Sequence, residues 1–550
     1  MPSTSDSESP AGEKRSNDTG HEPGNDPLSR SEPADKTIVY LKGLRFWLVA
    51  MVLAVILFLV SLDGTITSTS VVKITSDLNG FDEASWILSA YQLGLSASLV
   101  VLAKLSDIFG RKDVFIGSIL GFVVFSGACA ASQTLVQLVI FRAFQGLAGG
   151  GCMALTLILI TEVVPPGQLG TFASKMNVAL VLALVLGPVL GGAISSETTW
   201  RWIFLINIPT GIVAVALALL VMPKGFPHQR QADTNSQERE SNATKLARID
   251  VLGSILLVFA AVSFTACFQE ADTRFAWDSA YVITLLLLSV VLWCILLLWE
   301  RRVTLKSMRC EPVLPWRFLT DRVRASALVC FMLVGVPSIV TNFQLPQRFQ
   351  LVNGLSSIDA GVRILPFGAA FTIGSFASTQ MATRLRTPAI WLVVSGSVLQ
   401  TVGYVLLSML KPSPQINPAI YGYQVICGFG VGLNYMTLYL LVPITAAKQD
   451  KASGLGLASQ LRTMGTAFGL AISTSVFNGY ALSRLTELGV STNLIAISSE
   501  QALLSPAIQE GIRNILSEAY NRQMLVLVAF AGAQTPVVLF MWKREQIVAF

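Results

Sequence analysis

Charge is scarce in this chain. Asp, Glu, Lys and Arg make up 13% of its 550 residues, about half the share of an ordinary soluble domain, which is about 25%. Histidine is nearly missing: His21 and His228 are the only two, both in polar stretches. That removes the usual general base, no nucleophile constellation is present, and an enzyme reading has nothing behind it. The cysteines Cys129, Cys152, Cys267, Cys294, Cys310, Cys330 and Cys427 form no CxxC and have no His partners. Most lie in apolar stretches and read as small packing residues rather than metal or disulfide sites. No G-x-x-x-x-G-K-[ST] sequence occurs, which argues against an ATP-driven pump. No ring of acidic residues suggests a metal or polycation carrier. The net charge of +6 resides in the loops and does not suggest nucleic acid. No cofactor is implied.

What the chain has in abundance is apolar length: 53% of its residues are hydrophobic and its mean hydropathy is +0.61. A hydrocarbon core about 30 Å thick needs about 20 apolar residues per helix. Fourteen segments qualify, near 44–66, 84–103, 113–132, 136–160, 173–194, 203–222, 251–269, 279–299, 325–345, 360–380, 389–409, 418–442, 454–478 and 523–542. With the N-terminus inside, most loop Lys and Arg fall on inner connections, so both termini are expected in the cytoplasm. Residues 1–43 read as a disordered cytoplasmic tail and 223–250 as a polar cytoplasmic linker. Residues 44–222 then form one six-helix unit, 251–299 a helix pair, 300–324 a cytoplasmic loop, 325–542 a second six-helix unit and 543–550 a short tail. No cleavable signal peptide is expected, because the first apolar run is too long for an h-region. The sequons at Asn17 and Asn242 fall on the cytoplasmic side and should carry no glycan.

Four stretches carry chemistry. The run 103–113 is a short charged loop wedged between two spans. Gly110 allows a tight turn there, Asp107 lies near a helix start, and Arg111 and Lys112 can pair with Asp107 or with lipid phosphate. Such a cluster can latch one conformation, or be an ordinary basic turn. Arg142 lies about six residues into its span. An arginine inside a membrane is a functional hypothesis by default, the alternative being a side chain that snorkels to the inner headgroups. Gly187, Pro188, Gly191 and Gly192 occur together in the fifth span, where proline kinks and glycine permits close packing. Asp63 is the one acidic residue well inside the early apolar segments. A carboxylate there suits a proton carrier, or it caps the outer end of the first span in water.

These stretches resemble signatures of the major facilitator superfamily. Residues 103–112 match G-x-L-[SA]-D-x-x-G-[RK]-[RK] except that Ala103 stands for the first glycine. Arg142, Gln145 and Gly146 match R-x-x-Q-G. Residues 183–192 match the antiporter motif g-x-x-x-G-P-x-x-G-G except at Ala183. Residues 62–66 resemble the L-D-x-T-I motif of fourteen-span drug:proton antiporters, residues 200–211 their W-R-W-x-F-x-[IL]-N-x-P-x-G stretch, and residues 460–465 their Q-x-R-x-x-G segment. Within that family the chain is most similar to fungal toxin and multidrug efflux pumps.

The resemblance implies an all-α integral membrane protein with a major facilitator fold: fourteen transmembrane helices as two six-helix bundles plus an inserted pair. It implies proton coupling through Asp63 and Arg142, and a latch of Asp107, Gly110, Arg111 and Lys112 that stabilises the outward-open state. It also implies export by alternating access, the direction to which the antiporter motif points. Polar residues inside spans, with aromatics nearby, outline a mostly apolar pocket suited to an amphipathic organic molecule. The candidates are Tyr91, Gln92, Gln145, Asn177, Asn342, Gln344, Asn434 and Arg462. The expected partners are a small organic substrate, protons and the lipid bilayer, for a protein expected to be monomeric in the plasma membrane. The competing readings are a vacuolar or uptake carrier of amino acids or iron chelates, and a non-transporting receptor.

Overall fold

The computed structural model describes residues 41–78, 84–223, 248–271, 275–306, 310–446, 450–488, 505–544 and 546–547. Nearly all of the predicted tail (1–43) and linker (223–250), both sequons and both histidines lie outside these residues.

Apart from two isolated bridges, the regular structure among the described residues is helical. The helices are α1 (Leu44–Asp77), α2 (Ala84–Phe109), α3 (Arg111–Ala131), α4 (Leu135–Val163), α5 (Pro166–Glu197), α6 (Arg201–Leu205) and α7 (Asn207–Val221). There follow α8 (Val251–Glu270), α9 (Ala280–Leu305), α10 (Arg317–Thr320), α11 (Arg322–Leu351), α12 (Ser357–Val362) and α13 (Leu365–Thr383). The last are α14 (Ala389–Ser408), α15 (Ala419–Thr445), α16 (Lys451–Glu487) and α17 (Pro506–Leu539).

The fourteen predicted segments fall on helices, with 203–222 divided between α6 and α7 and 360–380 between α12 and α13. By length and apolarity, twelve helical stretches among the described residues qualify to cross a membrane. The two segments outside that set fall on α5 and α16. In α16, Gly, Ser and Thr replace the large aliphatics of a lipid-facing helix, and many of them are buried against protein.

Helix starts follow local chemistry. Thr134 accepts a hydrogen bond from Gln137 N–H, Asp250 from Gly253 N–H, and Asp321 from Val323 N–H, each satisfying a donor that the first turn leaves free. Gly110 joins α2 to α3 at φ +105°, a conformation that any side chain would strain. Two segments are longer than hydropathy indicates. α1 runs on through Thr67, Ser70 and Thr75, whose hydroxyls return to carbonyls four residues back. α17 begins at Pro506, about 17 residues before the apolar run. Its first turns are charged, yet they bury Ile512, Leu516, Ala519 and Tyr520 against Phe477, Ala481 and Leu485 of α16. Amphipathic packing, not lipid, holds that extension.

Two helical groups emerge. α1, α2, α3, α4, α5 and α7 pack among themselves, as do α11, α13, α14, α15, α16 and α17. α8 and α9 pack on each other, and α8 lies against both α2 and α16. The groups meet at the end that carries the 103–113 loop. There Gly456 of α16 lies against Leu99, Val100 and Ala103 of α2, and Gly170 of α5 against Thr379 of α13. Tyr439 of α15 donates to the Leu157 carbonyl of α4 at 2.5 Å. The missing glycine at 103 is therefore made good across the seam: the small residue sits on α16 instead.

Candidate functional site

The first candidate site grows from α1 and α4. Asp63 and Arg142 are 1% and 0% exposed, and Arg142 Nη1 donates to Asp63 Oδ2 in a buried ion pair. Asp63 therefore does not cap a helix in water, and Arg142 does not snorkel. A buried carboxylate survives only when its charge is paired and its lone pairs are met. Asp63 Oδ1 accepts from Gln145 Nε2 at 3.0 Å and from Asn207 Nδ2 at 3.0 Å. Gln145 also accepts from Arg142 Nη1 at 2.9 Å and donates to Ser126 Oγ at 2.8 Å. Arg142 Nε donates to the Ile87 carbonyl at 3.1 Å, and its guanidinium stacks on the Tyr91 ring, 4.2 Å from centroid. Tyr91 Oη in turn donates to the Val60 carbonyl of α1 at 2.9 Å. Helices α4 and α7 thus converge on the carboxylate of α1, α3 supports their amides through Ser126, and α2 holds the arginine from behind.

Gln145 and Tyr91, candidates for a substrate pocket, are built into this charged cluster. Ser126 and Asn207 were not singled out as site residues. Asn207 was visible within the 200–211 stretch, whereas nothing around Ser126 distinguishes it from other span serines.

Of the antiporter-motif glycines, Gly187 packs against the same part of α1. A Cβ on Gly187 would fall on the Thr65 hydroxyl and crowd the Ile66 amide. Thr65 Oγ1 reaches the Ala183 carbonyl at 3.2 Å, and Ser70 Oγ the Gly191 carbonyl at 3.1 Å. Gly191 is buried, whereas Gly192 is exposed with open space around it. Pro188 lies within α5.

The loop at 103–113 is a charge relay. Arg111 Nη2 lies 2.5 Å from Asp107 and 3.1 Å from Glu162 of α4, and Arg111 Nη1 donates to Ser106 Oγ at 2.6 Å. Lys112 does not join it. Its ammonium donates to the carbonyls of Leu219 and Met222, capping the C-terminal end of α7. The reason is geometric: α3 starts at Arg111, and the next residue already faces α7. Lys104, not singled out from sequence, bonds Glu311 at 2.6 Å, and Glu311 also holds Arg248 at 2.6 Å. Burial opposes ionisation of Glu311, but hydrogen bonds and charge from Lys104 and Arg248 outweigh it and hold the carboxyl below its usual range. This second clamp ties α2 to the segments flanking α8 and α9.

Between the two groups lies a cavity of about 520 Å³, part of it open to solvent. Leu180 and Val181 of α5 face Ser338, Ile339 and Asn342 of α11, Ile364, Phe367, Gly368 and Phe371 at α13, Tyr435 of α15 and Arg462 of α16. Of the substrate candidates, Asn342 and Arg462 line it. Asn434 instead donates to Ser397 Oγ at 2.9 Å and Gln534 Oε1 at 2.6 Å, joining α14, α15 and α17. Asn177 and Gln344 are buried and Gln92 is half-buried, all outside the cavity lining. No group of three or more His, Cys, Asp or Glu that could hold a metal occurs among the described residues.

The comparisons agree with this architecture. The profile of the Major Facilitator Superfamily matches residues 53–470. The MFS-type transporter FPY5 of Fusarium mangiferae is 34% identical over 525 residues, covering 94% of this chain and 87% of its own. The MFS-type efflux pump LUC4 of a Fusarium species is 28% identical, covering 85% of this chain and 79% of its own. Among solved structures, a bacterial homologue of the human lysosomal transporter Spinster, inward-facing and unoccupied, superposes with a TM-score of 0.55. It is 15% identical and covers 92% of this chain and 100% of that one.

Proposed function

The chain belongs to the major facilitator superfamily, and from that premise we propose that it is a proton-coupled exporter of an amphipathic small molecule, working by alternating access. The observation that carries this reading is the buried Asp63–Arg142 pair and its ring of donors. A paired carboxylate sealed inside the membrane is costly, and a structural role alone is served as well by apolar packing. In the cycle, substrate enters from the cytoplasm with Asp63 ionised, the carrier turns outward, substrate leaves and a proton takes its place on Asp63. That proton removes the charge that ties α1 to Arg142, Gln145 and Asn207, and so frees α1 and α5 to shift. The halves closed at the loop end correspond to the outward-directed state, with Arg111, Asp107 and Glu162 as its latch.

In this reading fourteen helices span the plasma membrane, as bundles of six on either side of the α8–α9 pair, with both termini cytoplasmic. The functional unit is a monomer. Similarity to fungal efflux pumps supports export. The test is deletion of the gene in its native host, followed by untargeted mass spectrometry of cells and medium and complementation with wild type or Asp63→Asn. Expected are intracellular accumulation of one compound family, its return to the medium with wild type, and no return with Asp63→Asn although that variant reaches the membrane. Full secretion by Asp63→Asn sinks the coupling role. Loss of uptake in place of accumulation shows that the direction is reversed and favours the carrier of amino acids or iron chelates.

A further inference from the structure

Among the described residues, the lining of the cavity between the two helical groups carries one formal charge, and no carboxylate pairs with it. Arg142 is neutralised by Asp63, and Arg111 by Asp107 and Glu162. Arg462 has no carboxylate partner among the described residues. Its guanidinium rests beside the Tyr435 ring, 5.9 Å from centroid, on a wall otherwise built from Phe367, Phe371 and aliphatic side chains. The other polar groups of the cavity are partly spent. Ser338 donates its hydroxyl to the Gly335 carbonyl at 2.9 Å, and Asn342 donates an amide hydrogen to the Ser338 carbonyl at 2.6 Å. A guanidinium offers five donors in a fixed fork and no acceptor. Arg462 is half-buried at this cavity, and the geometry of its guanidinium matches a carboxylate at two points.

We propose that the cavity takes an amphipathic organic acid, its carboxylate on Arg462 and its apolar body among Phe367, Phe371 and Tyr435. Leu180 and Val181 of the other group close over the same space, so the bound acid bridges both halves. The assignment rests on the export reading and gives its substrate class. It also carries a consequence for energetics. An anion leaving as a proton enters moves two elementary charges inward, so the membrane potential drives export along with the pH gradient.

The test uses purified full-length protein and three probes on one skeleton: 2-naphthoate, 2-naphthamide and 2-naphthylmethylammonium. Binding is measured at neutral pH by calorimetry. Naphthoate should bind at least about tenfold more tightly than either analogue, the factor expected of one charge-assisted contact. Arg462→Lys should keep the preference and Arg462→Gln should lose it. Ser338→Asp, which places a carboxylate in the cavity, should lose it as well and stands in if Arg462→Gln fails to fold. The proposal is overturned if naphthoate binds no better than the amide or the ammonium, absence of binding by all three included. It is equally overturned if the preference survives both Arg462→Gln and Ser338→Asp. Proteoliposomes separate this from the export reading. Naphthoate bound at Arg462 but not moved by an imposed proton gradient defeats export and leaves the substrate class standing. Gradient-driven transport that ranks the ammonium probe first does the reverse.

Discussion

The seam between α2 and α16 gives a prediction that can be worked from distances. A Cβ on Gly456 would stand 3.1 Å from Ala103 Cβ, 3.3 Å from the Leu99 carbonyl oxygen and 3.3 Å from Val100 Cα. Each is a few tenths of an ångström inside a relaxed contact, and two of the three are backbone atoms that cannot swing aside. Gly456→Ala should therefore cost the closed seam about 1 kcal/mol, and Gly456→Leu about 1–3 kcal/mol, the range for overpacking. The clash exists only while the seam is closed, so the cost becomes a shift between conformations of about 5- to 150-fold. Spin labels on Phe109→Cys at the end of α2 and Lys451→Cys at the start of α16 straddle the seam at exposed positions. Pulsed electron resonance should show one short distance in the wild-type background and a growing long-distance population from Ala to Leu at 456. Ala103→Gly removes one of the three contacts and should return part of the closed population in Gly456→Ala. An unchanged distribution in Gly456→Leu refutes the steric argument. So does a double variant that is more open than Gly456→Ala alone.

Two further predictions concern the charged clusters. Asn207→Leu removes a direct donor from a buried carboxylate and should lower stability by about 1.5–3 kcal/mol, whereas Ser126→Ala, which reaches Asp63 only through Gln145 and Asn207, should cost about 1 kcal/mol. Thermal unfolding in detergent checks the order, and equal losses would contradict it. At the second clamp, Glu311 is held below its ordinary value of 4.5. A depressed carboxylate contributes stability that is complete above its unfolded value and lost as pH falls through the folded one. The stability gap between wild type and Lys104→Met should accordingly be constant near neutrality and close below pH 4.5. A gap that stays unchanged into acid would show that Lys104 and Glu311 do not work as a pair.

Much of the architecture was legible because lipid imposes it. A chain that must satisfy its backbone within each span writes its helices as long apolar runs, so all fourteen predicted segments fall on helices. Boundaries were hidden wherever protein replaces lipid as the neighbour, as in the first turns of α17, where charge masks an amphipathic face against Phe477 and Leu485. At the site, Asp63 and Arg142 stood out one by one because each is an expensive residue in an apolar run. Their pairing spans 79 positions and leaves no local trace. Ser126 and Glu162 were invisible for the same reason: their roles exist only after α3 and α4 fold beside their partners. Sequence spacing also could not tell that Gln145 and Tyr91 serve the arginine while Asn342 and Arg462 serve the cavity.

One helix connects these separate places, and that bears on how coupling could be transmitted. α5 packs Gly170 against Thr379 at the closed end, places Leu180 and Val181 on the cavity, and seats Gly187 on Thr65 of α1, two residues from Asp63. At 1.5 Å per residue these stations lie about 16 Å and then about 9 Å apart along a single rod. Both outer stations have no slack, because at Gly170 and at Gly187 even one added carbon would meet the neighbouring helix. On the proposed function, protonation at Asp63 loosens α1 at one end of this rod. A displaced α5 then has to rearrange both the cavity wall and the seam at Thr379 together. On the same reading, a helix clamped by glycine at both ends transmits a shift rather than absorbing it, and Gly187 has a mechanical role distinct from simple bending. Close packing, not flexibility, is the property that Gly187 supplies here, since its missing side chain is what lets Thr65 sit between the two backbones.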